Sequence, residues 1–278
     1  MPLDGNTRII AHIGDPTATF KAPMIYNPYF EANGINASVV PMGVRAADFA
    51  AALPVIFRFT NVDGALITMP HKVSVVDMLD EVSPAVRIAG ACNAVKRDAN
   101  GKLIGDMFDG EGFVRGVKRK GQRLDGARAL IVGAGGVGSA IAASLAAAGA
   151  ARLALYDLDV AAMDGLAARL VRHYPALRVE TGDNDPRGFD IVVNATPLGM
   201  NAGDPSPLDV SLLEPETFVG EVVMKAETTA FLAAAKARGC RTQIGVDMLF
   251  EQIPAYLEFF GFATTTPETL RAHARISY

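Results

Sequence analysis

Residues 128–139 read R-A-L-I-V-G-A-G-G-V-G-S, an apolar run that passes directly into a loop rich in glycine. The apolar run predicts a buried strand, and residues 137–148 after it predict a helix. Glycine lets the backbone approach a pyrophosphate closely, and the N–H groups at a helix start favour an anion. The stretch therefore predicts a dinucleotide-binding loop, with a purely structural tight turn as the alternative. The predicted cofactor contacts in it are Gly133, Ala134, Gly135, Gly136, Val137 and Gly138.

On both sides of this loop, short β-branched runs alternate with segments of helical spacing. The predicted strands are residues 8–13, 38–44, 65–68, 128–132, 152–156, 190–195 and 218–223, and the predicted helices include 47–57, 137–148 and 160–173. This alternation is typical of an α/β fold with mainly parallel sheets. Asn100-Gly101 predicts one tight antiparallel hairpin, because both residues accept positive φ.

The composition excludes several classes of protein. Of the 278 residues, 50% are hydrophobic and 20% are charged, which is enough apolar material for a core and excludes disorder. The net charge of −4 argues against a nucleic-acid or membrane partner. Cys92 and Cys240 are far apart, and no spacing of ligand residues predicts a metal. The first residues do not have the pattern of a signal peptide, so a cytoplasmic location is expected.

Asp157 follows the next predicted strand, roughly 20 residues beyond the glycine loop, where an acidic side chain can bind the ribose hydroxyls of a dinucleotide. The same carboxylate would repel a 2′-phosphate, so it favours NAD over NADP. The alternative is that Asp157 or the nearby Asp159 caps the helix that follows.

Several separated motifs accompany the glycine loop. They are G-D-P-T-A-T-F-K-A-P-M-I-Y-N at 14–27, G-A-L-I-T-M-P-H-K at 64–72, G-A-C-N-A-V at 90–95, G-D-M-F-D-G-E-G at 105–112, N-A-T-P-L-G-M at 194–200 and G-V-D-M-L-F-E-Q at 245–252. In this order, and over nearly the whole chain, they resemble the shikimate/quinate dehydrogenase family. Several motifs that follow one another in the family's order identify a family far more specifically than one glycine loop does.

The resemblance implies a two-domain architecture. A substrate-binding domain is expected to comprise residues 1–112 and 246–278, and a Rossmann-like dinucleotide-binding domain residues 113–245, with the active site in the cleft between them. The implied reaction is reversible hydride transfer between a nicotinamide and a ring secondary alcohol: shikimate, quinate or a less polar analogue. Aromatic amino acid biosynthesis is the implied context, and the protein is expected to be a monomer or a homodimer.

The family motifs also imply roles for individual residues. Lys72 and Asp109 match the catalytic pair; without the family, Lys72 would be interpreted as a solvated lysine and Asp109 as a helix cap. The implied substrate positions are Phe20, Ala22, Thr68, Asn93 and Gln252. The further implied cofactor positions are Asn194, Ala195, Thr196, Pro197, Met200 and Gly245.

This chain departs from the family pattern at the substrate. Phe20 and Ala22 stand where the family has two serines that hold the substrate carboxylate. Other pocket positions have also become apolar: Leu66, Ala94, Met107, Phe108 and Met224. We therefore expect a substrate that is less hydroxylated than shikimate or anchored differently, with Lys21 or Thr19 as possible replacement anchors. A nucleotide-binding regulatory or sensor protein with little turnover is the alternative function.

Overall fold

The computed structural model describes residues 3–201 and 203–277. Within these ranges the helices and strands are, in chain order, β1 (Arg8–Gly14), α1 (Pro23–Ala32), β2 (Ala37–Gly43), α2 (Phe49–Ile56), β3 (Val62–Ile67), β4 (Glu81–Val82), α3 (Pro84–Ala89), β5 (Ala94–Arg97), β6 (Leu103–Asp106), α4 (Asp109–Arg119), β7 (Arg128–Val132), α5 (Gly136–Ala147), β8 (Arg152–Tyr156), α6 (Val160–His173), β9 (Arg178–Thr181), β10 (Ile191–Asn194), β11 (Phe218–Glu221), α7 (Ala230–Ala237), β12 (Arg241–Gln243), α8 (Gly245–Phe259) and α9 (Pro267–His273). The prediction of an α/β fold with mainly parallel sheets is confirmed.

The chain divides into two compact units, each with its own sheet. The first comprises the residues up to Arg87 together with Ala91–Phe108 and Gln252–Ser277, and the second comprises Ile88–Gly90 and Asp109–Glu251. The predicted domain boundaries, after residues 112 and 245, therefore differ from the unit boundaries by a few residues at each crossing.

The short segment Ile88–Gly90 is the one internal difference from the predicted domains. The Arg169 guanidinium on α6 donates to the carbonyl oxygens of Ile88 at 2.8 Å and Ala89 at 3.2 Å. These hydrogen bonds join the segment to the second unit, although the chain before and after it belongs to the first. Sequence spacing alone does not reveal a contact of this kind.

The first unit contains a mixed sheet with the strand order β2-β1-β3-β5-β6-β4. Strand β1 runs parallel to β2 and β3, whereas β5 is antiparallel to both β3 and β6. At the β5–β6 turn, Asp98 N donates to Lys102 O at 2.9 Å and Gly101 has a φ of +87°. Glycine accepts this left-handed conformation without strain. The predicted hairpin is thus confirmed.

The second unit contains a parallel sheet with the strand order β12-β11-β10-β7-β8-β9. When the six strands of this unit are numbered in chain order, with β7 as 1 and β12 as 6, and are read from the β9 edge, the order is 3-2-1-4-5-6. This is the strand order of dinucleotide-binding folds. The order reverses between β7 and β10, and ligands of such sheets bind outside the carboxyl ends of the strands at that point. Among the helices of residues 3–201 and 203–277, none is long and apolar enough to cross a membrane.

Candidate active site

The glycine loop joins β7 to α5 at the carboxyl edge of the second sheet. Gly133 has a φ of +111°, which favours glycine, and its N–H donates to Tyr156 O at 2.7 Å. A Cβ on Gly138 would lie 1.9 Å from Gly133 O, so a larger residue does not fit there. A Cβ on Gly135, in contrast, would meet only open space in the described part of the chain. The loop is tightly packed at its base and open at the start of α5, where backbone N–H groups favour a phosphate.

Asp157 follows β8 and directs its carboxylate at the glycine loop. Its Oδ2 accepts a hydrogen bond from Ala134 N at 2.5 Å, and its Oδ1 accepts one from Asp159 N at 2.9 Å. The helix-cap interpretation applies to Asp159 instead, because its Oδ1 accepts from Ala162 N at 3.0 Å at the start of α6. The two aspartates thus have different partners, and Asp157 is the one beside the loop.

The loop after β10 is held together by its own side chains. Asn194 is fully buried; its Nδ2 donates to Leu198 O at 3.0 Å, and its Oδ1 accepts from Thr196 Oγ1 at 2.6 Å. Thr196 Oγ1 in turn accepts from Leu198 N at 3.1 Å. A Cβ on Gly133 would lie 2.8 Å from the carbonyl carbon of Ala195. This loop and the glycine loop are therefore direct neighbours at the carboxyl ends of β10 and β7.

The remaining predicted cofactor positions lie at the same edge of the second sheet. Met200 N donates to Pro197 O at 3.1 Å within the loop after β10. Gly245 follows β12, and a Cβ there would lie 2.3 Å from Val223 O. The structure thus places all the predicted cofactor residues at the carboxyl ends of parallel strands or in the loops and helix starts that follow them. The glycine cradle and the adjacent carboxylate fit a dinucleotide, whose phosphates the loop would hold and whose ribose Asp157 would bind.

Glu221 is a buried carboxyl group at this edge that the sequence analysis did not select. It is 1% exposed and stands opposite Asn194 in the pairing of β10 with β11. Thr229 Oγ1 lies 2.9 Å from both carboxyl oxygens. Burial is the main cause that raises the pKa of Glu221 to about 7, although hydrogen bonds from Thr229 and Asn194 oppose the rise. Glu221 thus contacts Asn194, the residue that begins the hydrogen-bonded loop after β10.

The raised pKa of Glu221 predicts a pH-dependent stability. The folded state favours the protonated carboxyl group of Glu221. The contribution of Glu221 to the free energy of unfolding is therefore complete below a pH of 4.5 and is lost as the pH rises through about 7. At about pH 8, Glu221→Gln should raise the free energy of unfolding by about 3 kcal/mol, and at about pH 4 it should have little effect. Urea unfolding at both pH values measures the difference. The exposed Glu216→Gln variant controls for the lost charge, and equal effects of the two variants would contradict the assignment.

In the first unit, three predicted substrate positions lie beyond the carboxyl ends of β1 and β3. Thr68 follows β3 directly, and Phe20, in the loop after β1, is buried. A Cβ on Gly14 would lie 2.4 Å from Thr68 Cγ2 and 3.0 Å from Phe20 Cζ, so these side chains meet above the end of β1. Ala22 is also buried, immediately before α1. The structure thus brings Phe20 and Thr68 together and places Ala22 nearby in the same loop.

Asn93 and Gln252 are buried polar residues of the first unit, 1% and 4% exposed. Asn93 Oδ1 accepts from Phe108 N at 3.0 Å, whereas Asn93 Nδ2 and Gln252 Oε1 have no hydrogen-bond partner among the described residues. Tyr256, one turn after Gln252 on α8, donates to Asn93 O at 3.4 Å, so this face of α8 packs against Asn93. Buried polar atoms without a partner are rare, so each of these atoms is a candidate for a hydrogen bond with a polar ligand.

Of the two predicted catalytic residues, Lys72 lies in the turn segment after β3, and Asp109 is the first residue of α4. Lys72 is half-buried in the first unit, and its carbonyl oxygen accepts from Cys92 N at 2.7 Å. Asp109 is 3% exposed and begins α4 in the second unit, where a carboxylate interacts favourably with the helix N-terminus. A Cβ on the following Gly110 would lie 2.0 Å from Ala140 O, so α4 and α5 are in close contact there.

The two suggested replacement anchors for a carboxylate have other partners. Lys21 Nζ donates to the carbonyl oxygen of Ser277, and the Thr19 hydroxyl donates to Pro16 O at 3.4 Å. The structure therefore gives no support to Lys21 or Thr19 as an anchor. Four of the positions interpreted as apolar replacements in the pocket are buried: Leu66, Ala94, Met107 and Phe108.

His71, which lies beside Lys72 in the sequence, is a buried packing residue. It is 1% exposed, its Nε2 lies 2.7 Å from Val44 O, and its ring stacks on Phe49 with the centroids 4.0 Å apart. Across residues 3–201 and 203–277, the structure shows no group of histidine, cysteine and carboxylate side chains that could hold a metal.

Two family profiles match this chain. The shikimate dehydrogenase substrate binding domain matches residues 12–95, and the ThiF family matches residues 113–171, which include the glycine loop. The shikimate dehydrogenase (NADP(+)) of Geobacter metallireducens is 34% identical over 260 residues, which cover 91% of this chain and 90% of that protein.

Solved structures extend the similarity over both units. The quinate dehydrogenase from Corynebacterium glutamicum, in complex with NAD, has 31% identity and a TM-score of 0.84, and the match covers 96% of this chain and 98% of that one. The 5-ketofructose reductase of a Gluconobacter strain has 29% identity and a TM-score of 0.85, and the match covers 97% of this chain and 98% of that one.

The fold, the glycine cradle and these relatives define the class, which is that of the nicotinamide-dependent oxidoreductases built from two α/β units. The chain belongs to the shikimate/quinate dehydrogenase family, as its sequence motifs predict.

Proposed function

We propose that this protein catalyses the reversible oxidation of a ring secondary alcohol, with the substrate bound by the first unit and the nicotinamide cofactor by the second. The observation that carries the proposal is the pair of buried atoms Asn93 Nδ2 and Gln252 Oε1, for which the described chain supplies no partner. A ring hydroxyl can accept from the first atom and donate to the second. The names of the relatives, shikimate dehydrogenase and quinate dehydrogenase, support the same type of reaction.

Lys72 is the proposed proton carrier. Its amine takes the hydroxyl proton when the alcohol is oxidised and returns it when the ketone is reduced, and Asp109 is the carboxylate that assists it. A bound nicotinamide supplies the hydride acceptor or donor. The buried rings and aliphatic side chains around Phe20 and Leu66 exclude water from the substrate.

The proposed cofactor is NAD, although several relatives are named as NADP(+) enzymes. Support comes from the Asp157 carboxylate beside the glycine loop and from the sequence Y-D-L-D at residues 156–159, where the family's NADP-binding members carry N-R-T. Residues 156–168 contain no lysine or arginine that could bind a 2′-phosphate. The quinate dehydrogenase in complex with NAD gives a precedent among the relatives.

The proposed substrate lacks a carboxylate at the position of the two family serines. Phe20 and Ala22 are buried and apolar, and the Lys21 amine binds the carbonyl oxygen of Ser277. Hydrogen bonds to a charged group are worth roughly 1.5 to 3 kcal/mol each, so two missing serines would weaken shikimate binding about a hundredfold or more. The 5-ketofructose reductase, named for an uncharged hydroxyketone, supports an uncharged substrate.

A panel of initial rates tests the proposal. Shikimate, quinate and carboxylate-free cyclic polyols, with the corresponding hydroxyketones, are each assayed with NAD(H) and NADP(H) by the absorbance of the reduced cofactor. The best carboxylate-free compound should have a kcat/KM about tenfold or more above that of shikimate. Efficient shikimate turnover would contradict the proposed substrate class. No turnover across the panel would contradict the function itself.

A further inference from the structure

His12 is a buried histidine that the proposed chemistry does not use. It lies on β1, is 7% exposed, and its Nδ1 has no hydrogen-bond partner in the portion of the chain that the structure describes. Its ring stacks on the Phe20 ring, with the centroids 4.0 Å apart and the planes inclined by 26°. Within the first unit, Tyr26, Asn93 and Gln252 show the same combination of burial and an unpartnered polar atom. Asn93 and Gln252 are substrate positions in the proposed function.

The strand register aligns His12 with the apolar pocket positions. In the parallel pair β1–β3 His12 stands opposite Leu66, and in the antiparallel pair β3–β5 Leu66 stands opposite Ala94. Residues opposite each other in a sheet share a face, and side chains two apart on one strand share it too. Gly14 is therefore on the same face as His12, and a Cβ on Gly14 would reach Phe20 and Thr68. His12 thus lies on the sheet face against which Phe20, from the loop after β1, is packed.

The charge state of His12 limits what it can bind. Burial, and secondarily the charge of Lys72, lowers the pKa of His12 to about 3, so the imidazole is neutral under ordinary assay conditions. A neutral imidazole has one nitrogen that donates and one that accepts. It does not attract a carboxylate by charge, and it can form one directional hydrogen bond with a hydroxyl or a carbonyl group.

We propose that His12 is a substrate-binding residue that determines specificity, with Nδ1 hydrogen-bonded to an uncharged hydroxyl or carbonyl group of a substrate that lies against Phe20. This inference rests on the proposed function and adds to it the residue that recognises a second polar group of the substrate. The stack on Phe20 fixes the plane of the imidazole, so the hydrogen bond has a defined direction.

Two substitutions at His12 separate hydrogen bonding from packing. His12→Asn keeps a polar atom at the position of Nδ1, because both atoms are bonded to Cγ, whereas His12→Leu removes it. The substrates are the best carboxylate-free compound of the panel and its analogues that each lack one hydroxyl group. For the parent compound His12→Leu should lower kcat/KM by about 10- to 100-fold, mainly through a higher KM, and His12→Asn should recover most of the loss. For one deoxy analogue His12→Leu should have little effect.

The controls distinguish this inference from the proposed function. Ile10→Val, on the same face of β1, measures a general disturbance of the strand and should leave KM near the wild-type value. The affinity for NAD, which the second unit binds, should not change in any variant. Equal losses of His12→Leu on the parent and on every deoxy analogue, or no rescue by His12→Asn, would overturn the role of His12 alone. A wild-type protein without turnover would overturn both proposals.

Discussion

Lys72→Ala is expected to lower kcat by about a thousandfold, because the amine that exchanges the hydroxyl proton is lost. The hydrogen bond from Cys92 N to the carbonyl oxygen of Lys72 does not involve the Lys72 side chain. The turn after β3 should therefore remain folded in the variant. The affinity for NAD should change little, since every predicted cofactor residue belongs to the second unit. Initial rates and NAD titration of the same preparation measure both quantities.

A second substitution shows whether Lys72 acts by proton exchange or by charge alone. Lys72→Arg keeps a positive charge, but a guanidinium is not deprotonated in proteins and cannot serve as a base. We expect it to be nearly as inactive as Lys72→Ala, whereas the exposed Lys118→Ala should behave like the wild type. Substantial activity of Lys72→Arg would contradict the assigned role, and so would activity of Lys72→Ala.

Asp157→Asn is expected to reduce the preference for NAD over NADP by about 10- to 100-fold in kcat/KM. The amide oxygen can still accept from Ala134 N, so the contact with the glycine loop is kept; the negative charge is removed together with the hydrogen bond from Asp159 N, because the amide nitrogen cannot accept. The charge is what would repel a 2′-phosphate, and the variant should therefore gain chiefly in its use of NADP. Rates at several concentrations of each cofactor measure the ratio.

Two controls accompany the cofactor measurement. Asp164→Asn removes an exposed aspartate from α6 and should leave the ratio unchanged. The wild-type protein should prefer NAD, in contrast to the relatives that are named for NADP(+). A wild-type preference for NADP would contradict the proposed cofactor, and an unchanged ratio in Asp157→Asn would show that this carboxylate does not cause the preference.

Local sequence patterns predicted the elements that build the cofactor edge. Strands β7 and β8 and helix α6 have the predicted bounds, because long apolar or periodic runs end at clear signals such as Gly133 and the Asp159 cap. The edge strands β4, β9 and β12 have no clear signal in the sequence, because they have two to four residues and little apolar alternation. Helix α1 is also not indicated by the sequence, since Pro23 and Pro28 both lie within that helix.

The residues of the candidate site also fall into two groups, those that the sequence indicates and those that only the structure reveals. The glycine loop is a continuous stretch whose residue types indicate phosphate binding, and residues 194–200 are a continuous motif identified through the family resemblance, so neither needed a structure. His12 and Glu221 could not, because their interest comes from burial and from neighbours distant in sequence, Phe20 and Asn194. Alternation along β1 places His12 on the Gly14 face, and this was the one signal in the sequence that could have indicated His12.

The central claim is hydride exchange between a nicotinamide and the carbinol carbon of a ring alcohol, and isotope transfer tests it most directly. The ketone that is the best substrate of the panel is reduced with NADH deuterated at the transferable position, and the product is analysed by mass spectrometry and NMR. We expect about one deuterium on the carbinol carbon for each NADH consumed. NADH consumption without deuterium on that carbon, or no consumption with any ketone of the panel, would contradict the account.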